Sequence, residues 1–260
     1  MQISSSIDPK PRDPPSFLLC GPPGGGKTTL ALQFPGLWVG DCDINLNGPE
    51  KYLRDNKWLG TYFYDSICFN DNGSRLEFPD AWEKLMEKAE EAVLDADVQT
   101  LFFDSLTAIN NMLVAWVMKK QGLVSSAVME RQHWIPFRNQ LMLLINKART
   151  SGKVIIMSAH VWDQLDKKGV VEKHRIAVST TLTHYFAAYF TDVWRCYSTP
   201  GRGGNSRFYI QCLATGLDDL KNSFGMLAEV EVTGHAFERL NSWMKLPLPP
   251  VVVNSETVNK

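Results

Sequence analysis

The sequence predicts an α/β fold: a mainly parallel central sheet flanked by helices, with β-hairpin additions in the C-terminal part. Three observations carry this. From Phe17 to His160, short apolar runs alternate with stretches whose apolar residues recur at helical spacing. The first apolar run leads straight into a glycine-rich loop and then a helical pattern. Beyond His160 the pattern turns β-rich, with hairpin signals at Lys168-Gly169 and Gly203-Gly204. A chain of 260 residues has room for one large domain with a real core, and two would be cramped. That domain is expected over 16–245. A proline-rich polar arm (1–15) precedes it and a tail (246–260) follows.

The first strand is Phe17-Leu18-Leu19-Cys20. After the glycine loop a helix is expected from Lys27 to Phe34, stopping at Pro35-Gly36, and then a strand at Leu37–Asp41. Asp80 and Glu83 read as a capping box opening a helix whose apolar stripe is Trp82, Leu85, Met86, Ala89 and Val93. Its acidic outer face reads as a solvated face. Thr100–Asp104 is a short buried strand ending in an acid. Helical pattern resumes after Ser105 and again around Trp134, Phe137, Leu141, Leu144 and Ala148, where Pro136 starts or kinks the helix. The strand Lys153–Ala159 ends at His160.

Composition excludes several classes. With a formal net charge of −1, the whole-molecule field attracts neither nucleic acid nor membrane, so any nucleic-acid site must be a local patch. No apolar run is long enough to cross a bilayer, the first residues do not read as a secretory signal, and no lipidation signature is present. Cys20, Cys42, Cys68, Cys196 and Cys212 form no C-x-x-C pair and read as buried reduced thiols, which favours a cytoplasmic location. The histidines show no ligand spacing either, and no structural metal is expected.

Chemistry concentrates first in Gly21-Pro22-Pro23-Gly24-Gly25-Gly26-Lys27-Thr28, a G-x-x-x-x-G-K-[ST] motif with a strand before it and a helix after it. Glycines let such a loop curl so that backbone N–H groups face phosphates, and the helix N-terminus favours an anion. The motif, continued by Thr29, predicts a nucleoside triphosphate held with Mg²⁺. Lys27 would reach the β- and γ-phosphates, and Thr28 would hold the metal. Asp104, at the C-terminal end of a buried strand, is expected to complete the magnesium shell, although Asp104 or Ser105 could equally cap the next helix. Since the residue after Asp104 is Ser105 and not Glu, a water-activating base must come from elsewhere. Asp43 is the candidate and Asp41 the runner-up, with turn capping the plainer role for both. His160, ending its strand, reads as a γ-phosphate sensor or as a satisfied strand-end histidine.

In order and spacing, Gly21 to Thr28, Asp41-Cys42-Asp43, Asp104-Ser105-Leu106-Thr107 and Ser158-Ala159-His160 resemble RecA-like P-loop ATPases. The resemblance runs from about Phe17 to Gly225, and looks nearest to phage-encoded AAA-type proteins that act as RecA-fold single-strand annealing recombinases. It implies ATP hydrolysis with Mg²⁺ in recombination or annealing, slow or DNA-stimulated. It also implies a homo-oligomer, single-stranded DNA as partner and a single-strand-binding protein as a further one. Asp43 then stands where that family carries its catalytic carboxylate, usually the longer Glu. Lys221, in Leu220-Lys221-Asn222-Ser223-Phe224-Gly225, matches a lysine that reaches a neighbour's ATP, and Ser223 stands where RecA has a second lysine. The arm before Phe17 is too short for RecA's polymerisation domain, so a filament is not implied.

By the same resemblance, DNA-contacting loops would lie near Lys119–His133 and Asp163–Thr183. The second carries Lys167, Lys168, Lys173, His174 and Arg175 against Asp163, Asp166 and Glu172, a mild basic bias. Trp162, Tyr185 and Phe186 offer stacking surfaces or core. Two other readings stand beside this one. One is a nucleoside or small-molecule kinase, with Arg195, Arg202 and Arg207 as lid arginines. Against it, such kinases usually place the magnesium acid soon after the P-loop helix, and Asp104 comes much later. The other is a nucleotide switch that docks a replication protein.

Overall fold

The computed structural model describes residues 14–123, 128–179, 186–201 and 206–246. The regions of the expected arm (1–13) and tail (247–260), the Gly203-Gly204 turn, Arg202 and Tyr185 lie outside them. Strand β1 (Ser16–Gly21) is buried along its whole length and feeds the glycine loop and helix α1 (Lys27–Ala31). Beyond Ala31 the chain winds on by tighter turns, with the amide of Phe34 donating to the Ala31 carbonyl at 3.1 Å, so the expected helix over Lys27–Phe34 is α-helical only in its first half. There follow β2 (Leu37–Asp41), α2 (Asn47–Asp55), β3 (Tyr62–Ser66), α3 (Phe78–Leu94), β4 (Thr100–Asp104), α4 (Leu106–Lys120) and α5 (Trp134–Thr150). The chain then forms β5 (Val154–Leu165), β6 (Val171–Ile176), β7 (Asp192–Pro200), β8 (Ser206–Gln211), β9 (Glu229–Glu231) and α6 (Ala236–Met244).

The strand order is β3-β2-β4-β5-β1-β7-β8-β9, with β6 paired to β5 alone. From β3 to β7 all neighbours are parallel; β8 and β9 add as an antiparallel edge. The expected fold class, a mainly parallel sheet between helices, is therefore observed. Period-two alternation divides the core. Leu18, Leu101 and Phe103 face α3, α4 and α5, while Phe17, Leu19 and Phe102 face α1 and α6. Each such side chain contributes about 1.5–3 kcal/mol on burial, which is why the sheet centre reads as continuous apolar runs.

Several local expectations are corrected. Helix α3 starts at Phe78, with Glu77 as its N-cap, and Asp80 lies inside the first turn. Pro79 fits the first turn of a helix, so the helix begins ahead of it and no Asp80–Glu83 capping box forms. Asp80 instead pairs with Lys119 at 2.7 Å and Glu83 with Lys120 at 3.1 Å, so part of the acidic face meets α4. The apolar stripe packs as expected. The expected strand end at His160 is the end of the parallel pairing only, where His160 opposes Gly21. The strand itself runs on, and Val161–Leu165 pairs antiparallel with β6. The expected hairpin at Lys168-Gly169 is this pair, and it occupies most of the stretch Asp163–Thr183 that the resemblance made a DNA-contacting loop. It turns where predicted, with Gly169 at φ +79° and the Asp166 amide donating to the Val170 carbonyl at 2.8 Å.

Candidate active site

The glycine loop follows the C-terminal end of β1 and rests against the middle of β7 at Cys196. A Cβ at Gly26, whose φ is +88°, would strike the Phe208 ring at 2.4 Å, and one at Gly25 would strike the Cys196 carbonyl at 2.7 Å. Only glycine satisfies both the left-handed backbone and the close approach at Gly26. Pro23 through Thr29 line a cleft of about 540 Å³ together with Asp43, Asn45, Gly48, Pro49, Tyr52, Asp104, His160, Ser206 and Phe208. The Lys27 ammonium donates to the carbonyls of Gly21 at 3.0 Å and Pro22 at 2.9 Å. Burial lowers its pKa, so a nearby anion would strengthen its charged form.

Asp104 ends β4 and is 3% exposed. Its carboxylate accepts from the Thr28 hydroxyl at 2.8 Å and from the Ser158 hydroxyl. Burial nevertheless pushes its pKa up to about 6, with the Asp43 and Asp41 charges adding to the rise. A buried carboxylate beside a threonine hydroxyl is a hard-oxygen donor pair, which fits Mg²⁺. That ion takes one or two protein oxygens, with phosphate and water completing its octahedron. Among the described residues no group of three or more His, Cys, Asp or Glu forms a dedicated cage. Ser105 caps α4, its hydroxyl accepting from the Ala108 amide at 3.3 Å. Asp104 is thus not the helix cap.

The end of β2 bends over β4, with the amides of Cys42 and Asp43 both donating to the Asp104 carbonyl at 2.6 and 3.0 Å. This brings the Asp43 carboxylate into the cleft, 3.3 Å from His160 Nε2. Burial alone would raise the Asp43 pKa; hydrogen bonds from His160 and Ser105 and the Lys27 charge outweigh it and hold the carboxyl below its usual value. Asp43 is therefore an ionised acceptor, better suited to orienting a water than to strong basicity. Asp41 does not reach the cleft. It is 2% exposed and its oxygens accept from the Ile44 amide at 2.8 Å and the Tyr64 hydroxyl at 3.2 Å, a turn-building role. The His160 amide donates to Thr107 Oγ1 at 3.1 Å, and His160 Nδ1 is buried with no hydrogen-bond partner among the described residues.

Lys221, expected to reach a neighbour's ATP and not its own subunit's, lies away from this chain's own cleft. Its backbone pairs with Val193 and its ammonium donates to the Phe190 carbonyl at 3.1 Å. It is neither at the cleft nor a solvated turn lysine beside Asp218 and Asp219. Arg195 is likewise committed, bound to the buried Asp218 at 3.0 Å, while Arg207 lies exposed on β8. On the β5–β6 hairpin, Trp162 is 45% exposed and lies opposite Arg175, whereas Phe186 is core. On the hairpin, the His174 ring hydrogen-bonds Asp163 at 2.7 Å, Lys173 pairs with Asp219 at 3.3 Å, and Lys167 and Lys168 are exposed near the turn.

Four supporting groups were not singled out from the residues: Ser158 on Asp104, Thr107 on His160, and Tyr52 and Phe208 along the cleft. Ser158 and His160 were legible as i, i+2 neighbours on one face of a strand. Tyr52 and Phe208 carry no signal beyond aromaticity, since they meet the loop only through the fold.

No helix among the described residues is long and apolar enough to cross a membrane. No curated protein matches the chain. A family model described as an AAA domain matches residues 13–183, a span holding the glycine loop, Asp43, Asp104 and His160. With more than half its length matched, the glycine loop, Asp43, Asp104 and His160 included, the chain belongs to the AAA-domain family of nucleotide-binding ATPases.

Proposed function

We propose that this protein hydrolyses ATP with Mg²⁺ and uses the cycle in DNA recombination or single-strand annealing, as a homo-oligomer acting on single-stranded DNA. Lys27 and the loop amides bind the phosphates, Thr28 and Asp104 hold the metal, and Asp43 orients the attacking water under His160. Magnesium bound there would neutralise charge on the phosphates. The observation that carries the DNA reading is a single strand. β5 holds His160 in the cleft and, two residues on, the exposed Trp162 opposite Arg175. A γ-phosphate felt by His160 is thereby adjacent to a surface on which a base can stack, an interaction worth about 1–3 kcal/mol per base. The kinase reading is weakened because Arg195 is held by Asp218 and because β5 separates the acid's strand from β1.

The test is the ATPase rate with and without single-stranded DNA, in the natural protein and in Trp162→Ala. Stimulation by DNA that Trp162→Ala reduces at least fivefold, with the DNA-free rate kept, is expected. An unstimulated rate, or phosphate transfer to a nucleoside, refutes the reading.

A further inference from the structure

We propose that the side of α5 carrying Arg138 and Arg149, with Arg131 in the turn ahead of it, is a track that holds the phosphates of single-stranded DNA. This rests on the DNA reading above and adds the surface that supplies charge to it. A chain of net charge −1 holds a polyanion only where its cations are segregated. They are segregated along one stretch. Residues 131–162 hold five of the chain's 27 Lys and Arg and none of its 28 Asp and Glu. That stretch is the 3₁₀ turn Arg131–His133, α5, and the part of β5 that delivers His160 and Trp162.

Two of the five cations are committed within the fold. Lys147 pairs with Glu90 at 2.8 Å, and Lys153 donates to the Asp95 and Val98 carbonyls. Arg131, Arg138 and Arg149 are exposed. From Arg138 to Arg149 is about three helical turns and about 16 Å, so the two guanidiniums lie on one side of α5. Ile135, 58% exposed, adds an apolar surface between Arg131 and Arg138. Glu130 is the acid bordering the track, and its carboxylate accepts from the Gln132 side chain at 3.2 Å and from the His133 amide. Only residues 151–153 separate α5 from β5, so the helix runs back alongside the strand. Lys147 meets Glu90 near the end of α3, the helix that leads into β4, so both helices end at the same edge of the sheet. The 17 residues of α5 span about 25 Å, and Val154 to His160 about 20 Å. The Arg131 end is thereby level with His160 and Trp162. A strand stacked on Trp162 meets a line of guanidiniums along α5, and guanidinium is the side-chain group best shaped to bind phosphate.

The experiment measures binding of a fluorescent oligothymidine across a salt series, with Mg²⁺ and ATP present. It compares the natural protein, the combined Arg131→Gln, Arg138→Gln and Arg149→Gln variant, the same three positions changed to Lys, and Trp162→Ala. Each phosphate contact on a single strand contributes about 0.7 to the slope of log affinity against log salt. The Gln variant should therefore lose about 2 from the slope and about a hundredfold in affinity near 0.1 M salt. Its DNA-free ATPase rate should stay as in the natural protein. The Lys variant keeps the charge and should keep the slope. Trp162→Ala should weaken binding about tenfold with the slope unchanged, as lost stacking does. Oligothymidine bound by the Gln variant with the natural slope overturns the track and leaves the DNA reading standing. Oligoglutamate bound more tightly than oligothymidine, and lost with the same three arginines, also overturns it and assigns α5 to an acidic protein partner. Oligothymidine that fails to bind the natural protein even at low salt overturns both.

Discussion

Replacing Asp104 by Asn should stabilise the nucleotide-free protein while destroying its use of magnesium. In the folded chain the carboxyl is 3% exposed and its pKa stands at about 6, against 3.8 for the free side chain. The sign follows from linkage. An acid whose folded pKa is raised costs nothing while protonated in both states. Its penalty appears between pH 3.8 and about 6 and is complete above that. At about 1.4 kcal/mol for each tenfold change, ionised Asp104 destabilises the neutral-pH fold by about 3 kcal/mol. Asn keeps the volume and can still accept from Thr28 or Ser158, so most of that penalty should be relieved. For a domain of this size the gain corresponds to a Tm rise of about 5–10 °C at pH 7.5, shrinking towards zero near pH 4. Thermal unfolding of both proteins at the two pH values measures it. Magnesium-dependent nucleotide binding in the same samples should fall at least about tenfold. An Asn variant less stable than the natural protein at pH 7.5, or equally shifted at both pH values, would refute the reasoning, because the buried charge would then not be strained.

Asp43→Asn should bind nucleotide normally and lose about 10²-fold in turnover, the low end of general-base effects because its carboxylate is weakly basic, measured as phosphate release under saturation; a loss below tenfold would take the water-orienting role from it. Ser158→Ala removes a hydroxyl from Asp104 and should raise that carboxyl's pKa further. Its magnesium titration at pH 6.5 should therefore shift to higher concentration more than at pH 8.5, and equal shifts at both pH values would count against it. Lys221→Ala should cost about 1 kcal/mol of stability through the lost bond to Phe190 and leave turnover per folded molecule within twofold. A tenfold fall in turnover that depends on protein concentration would return Lys221 to the interface role its resemblance implies.

Much was legible along the chain because it was local. A strand, a glycine loop and a lysine in fixed succession specify a phosphate-binding geometry from adjacent residues, and the AAA-domain match spans that loop. The buried strands at Phe17, Leu37, Thr100 and Val154 announced themselves as apolar runs, since strands covered on both faces need no polar side. α2 and β3 were not announced. α2 buries one side chain, Leu53, among largely polar residues, and β3 is a sheet edge with Phe63 and Tyr64 exposed, so neither stands out as an apolar segment. Long-range placement belonged to the tertiary structure. Asp41 and Asp43 are the same residue type, and the resemblance ranked Asp43 first; the hydrogen bonds from residues 42 and 43 to the Asp104 carbonyl turn it into the cleft and leave Asp41 in a turn. Lys221 matched by motif, and within one chain its ammonium is held by the Phe190 carbonyl. Phe208, far from the loop in sequence, lies on Gly26 because β8 joins the sheet beside β7. Sequence determines chemistry that neighbours along the backbone can express; which distant side chains share one cleft is decided only when the sheet sets its strand order and register.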